Sequence, residues 1–220
     1  IYGKALSAEI AEIIGKAFGT FIGENQKIAI GRDVRISSEN LEKSFIKGLL
    51  KTGCQIIPIG LVHTPLLYFV IIHYSLDGGV MISASHNPPE WNGFKLCKEK
   101  AILCGQGMGM EEIKSIAFSQ RFKISNKGKI IEKRNIIEEY KKFILSKVEI
   151  EKGLRIGIDP GNGSCSIIAK KILEEKGLEV FSINDFPDGR FPAHLPEPTE
   201  ENLKELKELV NLSGSSGKTL

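Results

Sequence analysis

Apolar residues along the chain follow two periods that alternate, and these periods predict alternating helices and strands. Apolar residues that recur every three or four positions behind a Ser or Thr-Pro start signal indicate amphipathic helices. Short runs rich in Ile and Val between turn residues indicate strands. Predicted helices begin at Ser7, at Ser37 or Ser38, at Thr64, at Met110 and at Ile136. Predicted strands cover 27–31, 54–59, 79–83 and 94–98. The inward face predicted for the helix at 136–148 consists of Ile137, Tyr140, Phe143 and Ile144.

The alternation begins again near residue 150, which indicates a second unit of the same kind. Strands predicted at 154–159 and 178–183 enclose a helix, and a proline-rich loop precedes a last helix that Thr199 caps. The predicted fold class is α/β: a mixed sheet sandwiched between helices, plus a partial second α/β domain. The predicted boundaries are 1–149 for the first domain, 150–212 for the second, and 213–220 for a flexible tail or cloning scar.

Composition and charge exclude several classes of protein. The 30 basic and 27 acidic residues leave a net charge of +3, without the one-sided excess of Lys and Arg typical of nucleic-acid binding. The longest apolar run, 66–72, is far shorter than the roughly 18 residues of a membrane span. The four cysteines form no CxxC pair and are expected to be reduced thiols of a cytoplasmic protein. The absence of a basic and apolar leader after Ile1 favours a trimmed start over a secreted protein.

The segment 79–95, GVMISASHNPPEWNGFK, concentrates the polar chemistry of the chain. A buried strand ends in a loop that bears Ser85, His86 and Asn87, and two prolines stiffen this loop. Hydroxyl, imidazole, amide and backbone N–H groups can together surround a dianion. The loop therefore suits a phosphate or a phosphorylated hydroxyl, and loops at strand ends of α/β sheets are where ligands usually bind.

The return of the chain is predicted from Asn92-Gly93, because this dipeptide strongly indicates a hairpin turn. Such a turn would bring 94–98 back antiparallel and place the ammonium group of Lys95 beside the loop. Another interpretation is a plain polar hairpin loop whose Ser and Asn side chains bond their own backbone. A serine hydrolase is disfavoured, since no G-x-S-x-G surrounds Ser85.

Charged residues after the first strand have a structural interpretation. Arg32, Asp33 and Arg35 are expected to form an Arg–Asp network that braces the end of the sheet beside the Ser85 loop, rather than to bind substrate. The network would then position the loop without entering the chemistry.

The segment 79–96, GVMISASHNPPEWNGFKL, closely resembles the active-site serine signature of the α-D-phosphohexomutase superfamily. This superfamily includes phosphomannomutases/phosphoglucomutases and phosphoglucosamine mutases. Three further segments resemble elements of the family in the same order, GRDVRISS at 31–38, DPGNG at 159–163 and DGRFPAHLPEP at 188–198. The resemblance therefore spans most of the chain.

The resemblance implies a role for each residue of the loop. Ser85 would carry the transferable phosphoryl group, and its phosphate would supply one Mg²⁺ ligand. His86 would act in catalysis and Asn87 would bind substrate. Lys95 would assist proton transfer or stabilise the moving phosphoryl group. His194, in the proline-rich loop, would order that loop.

The activity implied is that of an intramolecular phosphotransferase. A hexose 1-phosphate of mannose or glucose and its 6-phosphate would interconvert through phospho-Ser85 and a bisphosphate intermediate, by positioning and charge neutralisation. One alternative is a phosphoglucosamine mutase, since Ser83 stands where phosphomannomutases/phosphoglucomutases frequently have Thr and phosphoglucosamine mutases commonly have Ser. The other alternative is a non-catalytic sugar-phosphate-binding fragment. The sugar and the oligomeric state stay open.

The chain departs from the family pattern in the segments that should supply the rest of the site. The family's Asp-Gly-Asp-x-Asp-Arg metal loop should follow the last helix, where SGSSGKTL stands instead. Sugar- and phosphate-binding loops of a third and fourth domain are also missing. The 220 residues alone are therefore expected not to turn over substrate.

Overall fold

The computed structural model describes residues 1–133, 135–151 and 153–213, with the side chain of Ser213 left aside. These residues form two compact units. The first consists of 1–84 and 90–133, and the second consists of 85–89 together with the described residues from 135 onward. The tail predicted at 213–220 lies outside the described residues, apart from the backbone of Ser213.

The first unit alternates helices and strands as the sequence predicts. Its helices are α1 (Ala8–Ile22), α2 (Ser38–Leu50), α3 (Thr64–His73) and α4 (Met110–Ser119). Its strands are β1 (Lys27–Arg32), β2 (Gln55–Leu61), β3 (Gly78–Ile82), β4 (Phe94–Lys98) and β5 (Lys129–Ile130). The five strands form one sheet in the order β4-β3-β1-β2-β5, and β4 alone runs antiparallel to its neighbour. The predicted α/β class with a mixed sheet is confirmed.

Helices cover both faces of this sheet. Neighbouring residues of a strand point to opposite faces, so the atoms near Gly78 and near Gly79 of β3 show which helix packs on each face. A Cβ atom at Gly78 would lie 3.6 Å from Phe18 of α1, whereas one at Gly79 would lie 2.5 Å from Ile71 of α3. Helix α1 therefore packs on one face and α3 on the other. The central strands β1 and β3 are buried accordingly, and their apolar residues contribute to the core together with residues of α1 and α2.

Helix α1 begins where the sequence predicts and packs closely on α2. The Ser7 Oγ accepts a hydrogen bond from the Ile10 backbone N–H at 3.3 Å, so Ser7 caps the helix. At the crossing with α2, a Cβ atom on Gly48 would lie 2.3 Å from the Glu12 carbonyl oxygen. A glycine at this position lets the two helix backbones approach more closely than a side chain would allow.

Strand β4 returns antiparallel to β3, with Lys95 opposite Met81, and this part of the prediction is confirmed. The predicted Asn-Gly turn is wrong. A two-residue type I′ turn needs positive φ at both central residues, and neither Asn92 nor Gly93 has one. The connection is instead a longer loop from 83 to 93, which the Ser83 N–H closes by donating to the Gly93 carbonyl oxygen at 3.0 Å.

The second unit contains a smaller sheet. Its elements are α5 (Ile136–Lys147), β6 (Arg155–Ile158), α6 (Ala169–Glu175), β7 (Glu179–Ser182) and α7 (Lys204–Ser213), with a 3-10 turn at Ser164–Ile167. Strands β6 and β7 pair in parallel. The inward face predicted for α5 is partly wrong, because Ile136 and Tyr140 are buried while Ile137 and Phe143 are exposed. Among the described residues, no helix is both long and apolar enough to cross a membrane.

Candidate active site

The candidate loop begins where β3 leaves the centre of the larger sheet. Strand β3 is parallel to β1, so the loop follows a carboxyl end of the parallel strands, the edge at which α/β proteins bind ligands. Ser85, His86 and Asn87 are all exposed. Ser85 has a φ of 56°, in the left-handed region that residues other than glycine rarely adopt. Such a backbone persists only where the surrounding structure holds it, which is common at binding sites.

A buried ionic network fixes the backbone next to the end of β3. The Asp33 N–H donates to the Ile82 carbonyl oxygen at 2.9 Å. The Asp33 carboxylate accepts from the backbone N–H of Arg35 and from its Nε, both at 3.0 Å, and from the Ser38 hydroxyl at 2.6 Å. Asp33 and Arg35 are 7% and 2% exposed. The predicted Arg–Asp network is thus confirmed for these two residues.

Asn92 ties the far end of the loop to the start of α2. Its Nδ2 donates to the hydroxyl oxygens of Ser37 and Ser38, at 2.8 and 2.9 Å. Its Oδ1 accepts from the Gly93 N–H at 2.8 Å. The amide is therefore used to anchor the loop, which explains why this Asn-Gly pair does not form the predicted turn.

Arg32 does not bond to Asp33 and pairs elsewhere. Its Nε lies 3.0 Å from the Glu42 carboxylate on α2. Burial raises the pKa of Glu42 above its usual range, in spite of the lowering effect of the Arg32 charge. The prediction of one network for all three charged residues is therefore correct only in part.

A pocket of about 410 Å³ opens at the candidate loop within the second unit. Its lining residues are Ser85, His86, Asn87, Pro88, Leu195 and Glu197. The structure thus brings together the serine, the imidazole and the amide that the sequence predicts as site residues. The Nδ1 of His86 lies 3.7 Å from the Glu197 carboxylate. Sequence reasoning missed Glu197. The one feature of the sequence that could have indicated it is its position between two prolines in the segment 188–198.

Lys95 belongs to the first unit and is not among the residues that line this pocket. It stands on β4 in the first unit, is half-buried, and pairs with Met81 across the strands. The structure places it on the strand that the sequence predicts, and its role in charge neutralisation stays a prediction.

Hydrogen bonds fix the loop that carries Leu195 and Glu197. The Asp159 carboxylate is fully buried and lies 3.1 Å from the Nε2 of His194. It also accepts from the Gly161 N–H at 2.8 Å and from the Asn184 Nδ2 at 3.1 Å. The Nδ1 of His194 lies 2.8 Å from the Leu195 carbonyl oxygen. His194 therefore links the loop to the end of β6, in agreement with the ordering role that the resemblance implies.

The residues described do not assemble a magnesium site. Within them, no group of three or more His, Cys, Asp or Glu side chains converges as a metal site requires. A phosphate on Ser85 would offer one oxygen ligand, as the resemblance implies, and the described side chains add no further ligand set.

The fold and the loop together define a class of protein: an α/β protein with an exposed serine–histidine–asparagine loop at the carboxyl edge of a central strand. Two family models match the chain. One describes "Phosphoglucomutase/phosphomannomutase, alpha/beta/alpha domain I" and matches residues 1–123. The other describes domain II of the same proteins and matches residues 137–216. The chain belongs to the phosphoglucomutase/phosphomannomutase family, which confirms the resemblance.

Individual relatives support the same assignment. A "Phosphoglucomutase/phosphomannomutase" of Thermococcus kodakarensis is 38% identical over 98% of this chain and 49% of its own length. A "Phosphomannomutase" of Methanocaldococcus jannaschii is 41% identical over 94% of this chain and 46% of its own. A "Probable phosphoglucosamine mutase" of Methanopyrus kandleri is 36% identical over 94% of this chain and 46% of its own length. The chain spans about half the length of the curated relatives it matches.

Solved structures agree with this fold. A phosphoglucomutase/phosphomannomutase family protein from Burkholderia thailandensis superposes with a TM-score of 0.88 at 27% identity, over 97% of this chain and 48% of the other. A structure described as a putative phosphomannomutase from Thermus thermophilus gives 0.78 at 22% identity, over 96% and 49%. The second likeness bears on the fold alone.

Proposed function

We propose that the chain carries the phosphoserine part of a phosphohexomutase, which interconverts a hexose 1-phosphate and a hexose 6-phosphate. The observation that supports it is the position of Ser85, exposed and left-handed at a pocket that His86 and Asn87 also line. The class of reaction in this proposal is taken from the family to which the chain belongs. As part of the same proposal, the reaction takes place in the cytoplasm, consistent with four free cysteine thiols.

In the proposed transfer, the P–O bond to the Ser85 Oγ breaks while a sugar hydroxyl oxygen forms a new bond to the same phosphorus. The proton of that hydroxyl passes to the imidazole of His86 and from there to the departing Ser85 Oγ, which ends as a neutral hydroxyl. Asn87 binds the substrate through its amide, and the Lys95 ammonium neutralises charge on the moving group. The hexose bisphosphate then returns its other phosphoryl group to Ser85, which completes the interconversion.

The intact mass of the full-length protein tests the acceptor. Incubation with a hexose 1,6-bisphosphate is expected to add about 80 Da, the mass of one phosphoryl group. Ser85→Ala is expected to abolish this gain. Ser83→Ala is the matched control, because it removes a hydroxyl from the same loop and keeps Ser85. A gain that persists in Ser85→Ala would reject Ser85 as the acceptor.

The sugar is proposed to be mannose or glucose, since two of the relatives above carry those names. The second candidate is glucosamine, which the relative from Methanopyrus kandleri favours. Turnover of the three hexose 1-phosphates by the full-length protein separates the two. Binding of these phosphates without turnover would favour a non-catalytic module instead.

A further inference from the structure

Glu197 places a carboxylate in the pocket that Ser85 and His86 line. Its Oε2 lies 3.7 Å from the Nδ1 of His86. Contacts in catalytic sites are often this long before substrate binds, and they shorten in the complex. Of the two ring nitrogens of His86, it is therefore Nδ1 that faces a hydrogen-bond acceptor.

The backbone of Glu197 is held in place, although its side chain is exposed. Its carbonyl oxygen accepts from the Asn202 Nδ2 at 2.7 Å and from the Thr199 N–H at 2.8 Å. The same Asn202 amide donates to the Leu195 carbonyl oxygen at 3.1 Å, and His194 bonds that oxygen as well. Prolines on both sides of Glu197 restrict the backbone further. The backbone that carries the Glu197 carboxylate is thus held in a fixed position.

We propose that Glu197 is a positioning residue for His86: its carboxylate accepts the Nδ1–H of the imidazole and leaves Nε2 to exchange a proton in the Ser85 pocket. The hydrogen bond made by one ring nitrogen sets the protonation of the other, so an acceptor at Nδ1 selects the Nδ1–H tautomer. The role of Glu197 in the reaction rests on the proposed function of Ser85. The tautomer of His86 can be tested without that proposal.

The tautomer is measured from the ¹⁵N chemical shifts of the two ring nitrogens, in the full-length protein at a pH that keeps the imidazole neutral. His86→Gln identifies the signals. The unchanged protein is expected to show the Nδ1–H form, and Glu197→Ala to shift towards the Nε2–H form that free histidine favours. Glu201→Ala is the matched control, because it removes the same charge from an exposed position nearby. Glu197→Asp is expected to restore part of the Nδ1–H signal.

The rate at which Ser85 accepts a phosphoryl group from a hexose 1,6-bisphosphate gives the second readout. Carboxylates that orient a metal-bound histidine contribute about 10- to 100-fold to activity, and by analogy a loss of about 10-fold is expected for Glu197→Ala. The affinity for the bisphosphate is expected to change little, because Glu197 is assigned to the imidazole and not to the sugar. Unchanged signals from His194 would show that the turn is still folded.

Each outcome decides the inference. A tautomer that is the same in Glu197→Ala and Glu201→Ala overturns it, even if Ser85 accepts phosphate. A changed tautomer with an unchanged transfer rate overturns the positioning role in the reaction. If Ser85 accepts no phosphate in the unchanged protein, the proposed function fails, and the tautomer comparison alone decides whether Glu197 holds His86. If Glu197→Ala disturbs the turn, the same comparison is made with Glu197→Leu, which keeps a side chain of similar size but has no acceptor.

Discussion

Asp33 bonds the backbone at the end of β3, and its buried carboxylate bonds Arg35 and Ser38. Asp33→Ala is expected to lower the free energy of unfolding by about 3 kcal/mol, because the buried guanidinium of Arg35 loses the carboxylate that faces it. Urea unfolding followed by circular dichroism measures this change. Glu39→Ala is the control, since Glu39 pairs with Lys43 at the exposed surface and its removal should have little effect. Equal losses in both variants would contradict a structural role for Asp33.

Glu12 makes stability depend on pH. Its carboxylate bonds Lys47, Lys51 and Lys16, and these cations lower its pKa from 4.5 to about 2. Because the pKa is lower in the folded state, the stabilisation is complete above the unfolded pKa and is lost as pH falls towards 2. The free energies of unfolding that urea titrations give for the unchanged protein and Glu12→Gln should therefore differ by about 1 kcal/mol at pH 6 and converge near pH 2. A difference that stays constant over this range would refute the assignment.

At the scale of elements, the crossing of α1 and α2 depends on a glycine. Alanine normally favours a helix by up to about 1 kcal/mol over glycine. At Gly48, however, the added Cβ would lie 2.3 Å from the Glu12 carbonyl oxygen, so the helices must separate. We predict that Gly48→Ala destabilises the protein by about 2 kcal/mol in urea unfolding. Gly105→Ala, where a Cβ meets no atom within 4 Å, should be nearly neutral, and a similar loss there would contradict this account.

Elements whose signals are local could be predicted from the sequence. The Ser7 cap and the apolar spacing behind it specify α1, and the buried run at 79–83 specifies β3. The inward face of α5 could not be read in the same way, because Ile137 and Phe143 are apolar but point away from their own unit's interior. Apolar spacing gives the helix, whereas tertiary packing selects which side of it is buried.

The residues of the candidate site likewise differ in whether local sequence signals predict them. The loop residues Ser85, His86 and Asn87 are adjacent in the sequence, so one motif predicts them together. The amide of Asn92 bonds residues of α2, and the carboxylate of Glu197 faces His86 from a distant loop. Such long-range partners follow from the folded chain alone, which is why the Asn-Gly turn was predicted wrongly and Glu197 was missed.

For the molecule as a whole, the two units differ in how deeply their strands are buried. Every residue of β3 is buried and the strand has hydrogen-bonded neighbours on both sides. Within the described part of the chain, β6 pairs only with β7, and none of its residues is fully buried. Opening a region costs less where fewer contacts and ladder bonds are broken.

Native-state hydrogen exchange can test whether this difference produces a difference in local stability. We predict that amides of β1 and β3 exchange only through global unfolding, while amides of β6 and β7 open at a free energy on the order of 2 kcal/mol lower. Low concentrations of urea supply the control, since global exchange accelerates steeply with denaturant and local opening hardly responds. The same free energy and the same urea dependence in β6 as in β3 would show that the two units unfold as one, and that depth of burial does not set the order in which they open.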